Sequence, residues 1–119
     1  MNTKEIGAFG EERAAEFLRE HGYVILSKNF RCRLGEIDLV VRDDSFLVFV
    51  EVKLRKNASF AEAREFVTAS KQQKIIKAAR YWLLSHPTQL QPRFDVIEIY
   101  APQGLQGNII INHIIDAFQ

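Results

Sequence analysis

The sequence predicts an α/β domain in which helices flank one mixed β-sheet, in the order α-β-β-β-α-β-β. Three observations predict it. Apolar residues recur at helical spacing over residues 3–21 and 71–85. Five further runs are β-rich or alternate apolar with polar residues. No internal repeat, low-complexity segment or linker interrupts the 119 residues, 47% of them apolar. That length and composition predict one domain over 1–119, with one sizeable core and not two. Layering helices on a single sheet is the economical way to bury it.

Ile6, Phe9, Ala14, Phe17 and Leu18 mark the apolar stripe of the first helix, and Gly22 stands at its expected C-terminal stop. Tyr23-Val24-Ile25-Leu26 opens a strand that leads on through Asn29 and Phe30. Residues 36–42 and 46–54 alternate apolar with polar, and Asp43-Asp44-Ser45 between them supplies turn chemistry, which predicts a hairpin. The segment 55–69 is less regular and reads as a loop with a short helix around 61–66. Ser70 is the expected N-cap of a helix over 71–85. Its apolar side is Ile75, Ile76, Ala79, Trp82 and Leu83, and Pro87 stops it. Residues 94–100 and 108–115 complete the sheet, joined by a loop containing Pro102, Gly104 and Gly107.

The charge is unevenly spread. Residues 53–80 carry Lys53, Arg55, Lys56, Arg64, Lys71, Lys74, Lys77 and Arg80 against Glu62 and Glu65, a local +6 within a chain of net +1. A basic block beside the acidic 31–52 stretch suits a polyanion site that also holds a cation; it equally suits a solvated helix face. No run approaches the ~18–20 apolar residues of a membrane helix, and the charged N-terminus lacks the apolar core of a secretory signal. The expected setting is the cytoplasm, with no membrane partner. Cys32 is the single cysteine and cannot staple the fold, and His21, His86 and His113 make no zinc spacing.

The hairpin carries the chemistry. On its second strand Leu47, Phe49, Glu51 and Lys53 share one face and Phe46, Val48, Val50 and Val52 the other. On its first, Ile37, Leu39 and Val41 oppose Glu36, Asp38 and Val40. Pairing the apolar rows sets Leu39 opposite Val48 or Val50. Either register puts Asp38, Glu51 and Lys53 on one face, with Asp38 opposite Phe49 or Glu51. Opposed side chains have Cβ atoms ~4.5–5.5 Å apart, so two carboxylates there repel unless a cation or proton intervenes. Magnesium suits the role, taking one or two carboxylates and leaving positions for water and phosphate. Lys53, two residues from Glu51, is placed to orient or deprotonate a water and offset phosphate charge. A cross-strand salt bridge on a solvated sheet face accounts for the same spacing.

GEIDLVV at 35–41 followed by FVEVKLR at 49–55 resembles the metal-nuclease core of the PD-(D/E)xK superfamily. Together with Gly10-Glu11, Gly22-Tyr23, Asn29-Phe30-Arg31 and Arg93-Phe94-Asp95, the chain resembles the UPF0102 (YraN-like) family over nearly its whole length. The resemblance implies a restriction-endonuclease-like fold related to archaeal Holliday-junction resolvases. It also implies a Mg²⁺- or Mn²⁺-dependent endonuclease acting on DNA, branched or processed forms included. Asp38 matches the metal-binding aspartate, Glu51 the second acidic ligand and Lys53 the catalytic lysine. The Val52 carbonyl would be a further metal ligand, and Glu11 matches an acid that related resolvases bring towards the metal. Glu11 lies about 20° from Leu18 around the first helix, whereas Glu12 and Glu16 turn away. Ile37 stands where the superfamily's motif has proline, and Ala61 follows Phe60 where relatives usually have glycine. Lys71 matches a basic position at the start of the second long helix.

The basic block is then the expected nucleic-acid surface, with Arg55, Lys56, Lys71, Lys74 and Lys77 on backbone phosphates. A two-fold dimer would cover more of a junction than one small domain. The alternative is a nucleic-acid-binding module of the same fold with little or no hydrolytic activity. Other candidates are weaker. GAFGEE at 7–12 lacks the preceding strand of a phosphate loop. The three histidines read as surface or cap residues, and Trp82 reads as core.

Overall fold

The computed structural model describes residues 3–55, 67–102 and 107–119. The chain runs α1 (Thr3–Glu20), β1 (Val24–Cys32), β2 (Gly35–Arg42), β3 (Phe46–Arg55), α2 (Ala69–Ser85), β4 (Gln91–Tyr100) and β5 (Ile110–Phe118), the order expected. The five strands lie in sequence order in one sheet. Every neighbouring pair is antiparallel except β3 and β4, which run parallel because α2 carries the chain back between them. This mixed α/β architecture is consistent with a restriction-endonuclease-like fold.

Helices cover both faces. Ala14, Ala15 and Leu18 of α1 pack on Leu39, Val41, Val48, Val50, Ile97 and Ile99. Ile75, Ala78, Ala79 and Trp82 of α2 pack on Val40, Leu47, Phe49, Val96 and Phe118. The central strands are buried on both sides and therefore read as continuous apolar runs, LVFV in β3 above all. Phe49 anchors the α2 side, edge-on to Trp82 at 5.9 Å between ring centres. Burying such a side chain is worth roughly 1.5–3 kcal/mol. The hairpin turn is fixed by the Asp43 carboxylate, whose Oδ1 accepts the N–H groups of Ser45 at 2.8 Å and Phe46 at 2.7 Å. The register sets Leu39 opposite Val50, one of the two expected alternatives.

Several boundaries differ from expectation for identifiable reasons. Thr68, not Ser70, caps α2: its hydroxyl accepts the Lys71 N–H at 3.1 Å, so the helix begins at Ala69. The buried side of α2 takes in Ala78, while Ile76 and Leu83 lie at its margin. β4 begins at Gln91, whose N–H reaches the Ser45 carbonyl at 3.2 Å. Pro92 fits because the next backbone position points towards β5, which pairs only from Phe94 onwards. β5 begins at Ile110 and runs to Phe118, since the Asp116 N–H is held by Asp95. The short helix expected around 61–66, Phe60, Ala61 and Lys56 lie outside the described residues, as does Gly104 of the last loop.

One glycine positions the site. A Cβ at Gly35 would lie 2.7 Å from the Lys74 carbonyl oxygen. Only glycine lets the β1–β2 turn rest directly on the second turn of α2. Among the described residues, no helix is long and apolar enough to cross a membrane.

Candidate metal centre

The β2–β3 ladder stops at Leu39 opposite Val50. Beyond it the Asp38 side chain replaces the backbone partner, its Oδ2 accepting the Val52 N–H at 2.8 Å. Strict alternation fails here. Ile37 turns into the α2-side core while Leu39 stays on the α1 side, so β2 twists at Asp38 and does not keep Ile37 in the Leu39 row. Asp38 therefore stands where the two strands part.

Glu51 faces the same space and is 5% exposed. Its Oε2 lies 2.5 Å from the Lys71 ammonium and 3.9 Å from that of Lys53. That oxygen is buried, and among the described residues it accepts no hydrogen bond of good geometry; the two ammonium groups are its ion-pair partners. Burial pushes the Asp38 carboxyl up to about 9, helped by its hydrogen bond and charge contact with Glu51 and by the charge of Glu11. Burial also acts to raise Glu51, but Asp38, Lys71 and Lys53 outweigh it and hold Glu51 below the usual carboxylate range. One shared proton thus lets the pair coexist, with the negative charge on Glu51. Burial and the neighbouring Lys71 ammonium lower the Lys53 amine, whereas Lys71, despite burial, is raised by its contact with Glu51.

Asp38, Glu51 and Lys53 are together, as their strand positions predict. Val52 sits between the carboxylates, and Glu11 is half-buried, near enough for its charge to act on Asp38. Among the described residues no three acidic, histidine or cysteine side chains gather into one cluster, so Glu11 does not join the pair as a close third ligand. Among the described residues, Asp38 and Glu51 are the side chains that could hold a divalent cation. A pair that otherwise needs a shared proton and a buried oxygen without a hydrogen bond have the chemistry such an ion satisfies.

The basic residues separate into different settings. Lys71 belongs to the acidic pair, and Lys74 and Lys77 are exposed on α2. Arg55 is half-buried at the end of β3, in register with Tyr100. Sequence reasoning missed three things. The ion pair between Lys71 and Glu51 depends on how α2 seats on the sheet, for which no local signal exists. Glu98, in register with Lys53 and fully buried, takes a hydrogen bond from Asn112 at 2.9 Å. His113 is not a surface or cap residue: its Nε2 lies 2.7 Å from Asp95 Oδ2. An ionised carboxylate only accepts, so that nitrogen carries the proton. His86 does cap α2, and Trp82 is core.

Asp95, in register with Val50, organises a second polar cluster on the other, α1-facing side of the sheet. Arg93 grips it through two hydrogen bonds of 2.9 Å and reaches Tyr23 Oη at 2.8 Å. Burial would raise Asp95, but His113, Arg93 and the Asp116 N–H together hold it low. This fully satisfied network ties β4 and β5 to the end of α1, accounting structurally for the Arg93-Phe94-Asp95 motif.

The profile of the uncharacterised protein family UPF0102 matches residues 10–99. A UPF0102 protein of Caldicellulosiruptor bescii is 48% identical, over 99% of this chain and 100% of its own length. One of Caldanaerobacter subterraneus subsp. tengcongensis is 44% identical over 99% and 98%. One of Clostridium botulinum is 42% identical over 98% and 96%. These matches span the acidic pair, both lysines and the second polar cluster, and the chain belongs to the UPF0102 family.

Proposed function

We propose that this chain is a magnesium- or manganese-dependent endonuclease that hydrolyses phosphodiester bonds in DNA, with the PD-(D/E)xK arrangement its motifs resemble. One observation carries the reading: Asp38 and Glu51 meet at a parting of two strands with two ammonium groups beside them. A structural salt bridge would need one carboxylate and one cation. Here a second carboxylate is buried against the first, at a cost that a purely structural site would avoid.

Asp38, Glu51 and the Val52 carbonyl would hold the ion, with Glu11 acting through water. The ion would acidify a water and shield charge developing at phosphorus. Lys53, its amine made less basic by burial, accepts or orients a proton at Nζ beside Glu51. Lys71 stays cationic and offsets phosphate charge. Arg55, Lys56, Lys74 and Lys77 supply backbone contacts without sequence readout.

The test is a cleavage panel of single-stranded, duplex, flapped and four-way DNA with Mg²⁺ and with Mn²⁺, run beside Glu51→Gln. Cleavage by the wild type that the variant lacks supports the reading. A second reading has one observation in its favour: Lys71 already neutralises Glu51. A nucleic-acid-binding module would use that arrangement without hydrolysis, and DNA binding with no cleavage in either metal would establish it.

A further inference from the structure

A groove of about 540 Å³ opens beside the acidic pair, between the β1–β2 turn and the start of α2. Its lining includes Arg31 and Arg33 from the turn and Lys71 and Lys74 from α2, with the apolar side chains of Leu34 and Ile75. Among the described residues Glu36 is the one acid in this lining, and it pairs loosely with Arg31 at 3.3 Å, both side chains more than two-thirds exposed. Among the described residues Arg33 and Lys74 have no ion-pair partner. The close approach of Gly35 to the Lys74 carbonyl sets the spacing of turn and helix, so this groove is built into the fold and is not a chance gap between side chains.

The groove has an aromatic continuation. Tyr81 lies seven residues after Lys74, hence on the same side of α2 within about 20° and ~10 Å further along its axis. Its ring is half exposed and stacks on Phe30, next to Arg31, with 6.4 Å between ring centres. Cations beside apolar side chains, followed by an exposed ring, match what an unpaired strand presents, namely phosphates and then a bare base face. A duplex presents neither an unstacked base nor a backbone narrow enough to enter. Clefts of about 300–1,000 Å³ take molecules of nucleotide size.

We propose that this groove and the Tyr81 ring form a track for an unpaired DNA strand leading into the acidic centre, so that DNA with a single-stranded flank is preferred over continuous duplex. The preference rests on the nuclease reading above; the track itself does not. Phosphates sit between the turn arginines and Lys74, and a base stacks on Tyr81.

Fluorescence anisotropy with EDTA present measures binding without cleavage, using a labelled oligothymidine and a blunt duplex of equal length. The wild type is expected to bind the unpaired strand more tightly. Tyr81→Ala should weaken that binding on the order of 5- to 100-fold, and Tyr81→Phe should restore it, because the ring and not the hydroxyl carries the stack. Arg33→Ala should flatten the salt dependence for the unpaired strand by ~0.7 per lost phosphate contact. Equal affinity for both probes, or Tyr81→Ala binding the unpaired strand like wild type, would overturn the track. Ring-dependent binding of the unpaired strand by a protein that cuts nothing would uphold the track while removing the nuclease reading.

Discussion

Replacing Asp38 with asparagine should make the metal-free protein less sensitive to alkaline pH and no less stable at pH 7. Asp38 titrates near 9 in the folded protein against an ordinary value of 3.8. Between those limits the folded state holds a proton that the unfolded chain has released. Stability therefore falls as pH rises, by at most about 1.4 kcal/mol per unit. From pH 5 to pH 8 the ceiling is about 4 kcal/mol, a large share of the ~5–15 kcal/mol that holds a domain together. Glu51 acts in the opposite sense, since its value is lowered; its contribution is lost only as pH falls below the usual carboxylate range. The asparagine keeps an oxygen for the Val52 N–H and has no proton to lose. Urea titrations at pH 5, 6, 7 and 8 in EDTA should give a steeper decline for the wild type than for the variant. Added Mn²⁺ at a hundred times its dissociation constant should stabilise the wild type by ~2.7 kcal/mol and the variant far less. Equal pH slopes would refute the shared-proton account. Loss of the metal-free fold in the variant would show that Asp38 is structural.

Lys53→Ala should lower cleavage by at least about a hundredfold while leaving Mn²⁺ affinity by calorimetry little changed, because the amine is not a ligand. Asp95→Ala removes the partner of a buried arginine and should cost about 3–5 kcal/mol in urea unfolding; folded protein should still bind Mn²⁺, the cluster lying on the opposite face of the sheet. Gly35→Ala should cost about 1–3 kcal/mol as its Cβ meets the Lys74 carbonyl. Gly7→Ala, with nothing within 4 Å of its new methyl, should gain roughly 0.5–1 kcal/mol, and a matching gain at Gly35 would contradict the close approach.

The parts of the site legible in the sequence were those that strand geometry dictates. Period two places Glu51 and Lys53 together without reference to the rest of the chain. The need to pair two apolar rows then brings Asp38 across, and the turn chemistry of Asp43 fixes the register. What period two could not supply was the twist at Asp38. A regular strand would have kept Ile37 with Leu39. The observed strand sends Ile37 to the α2 side because a side-chain hydrogen bond to Val52 has replaced the ladder. Expecting that requires knowing that β2 leaves β3 there.

Lys71 shows where charge counting stops. By composition it was one of eight basic residues between 53 and 80, equivalent to Lys74 and Lys77. The fold makes the three unlike. Thr68 starts the helix two residues earlier than Ser70 would have, which sets the phase of every later position. Gly35 then lets the β1–β2 turn lie against Lys74, so α2 approaches the sheet closely enough for Lys71 to reach Glu51. A hydroxyl three residues before Lys71 and a missing methyl thirty-six positions before it decide which lysine meets the acid. Neither carries charge, and neither can be recognised from the basic block itself. The acidic pair is thus a local product of two strands, whereas its cationic partner depends on how closely α2 seats on the sheet. Substitutions at Gly35 or Thr68 should therefore disturb Lys71 at the site before they disturb Asp38 or Glu51.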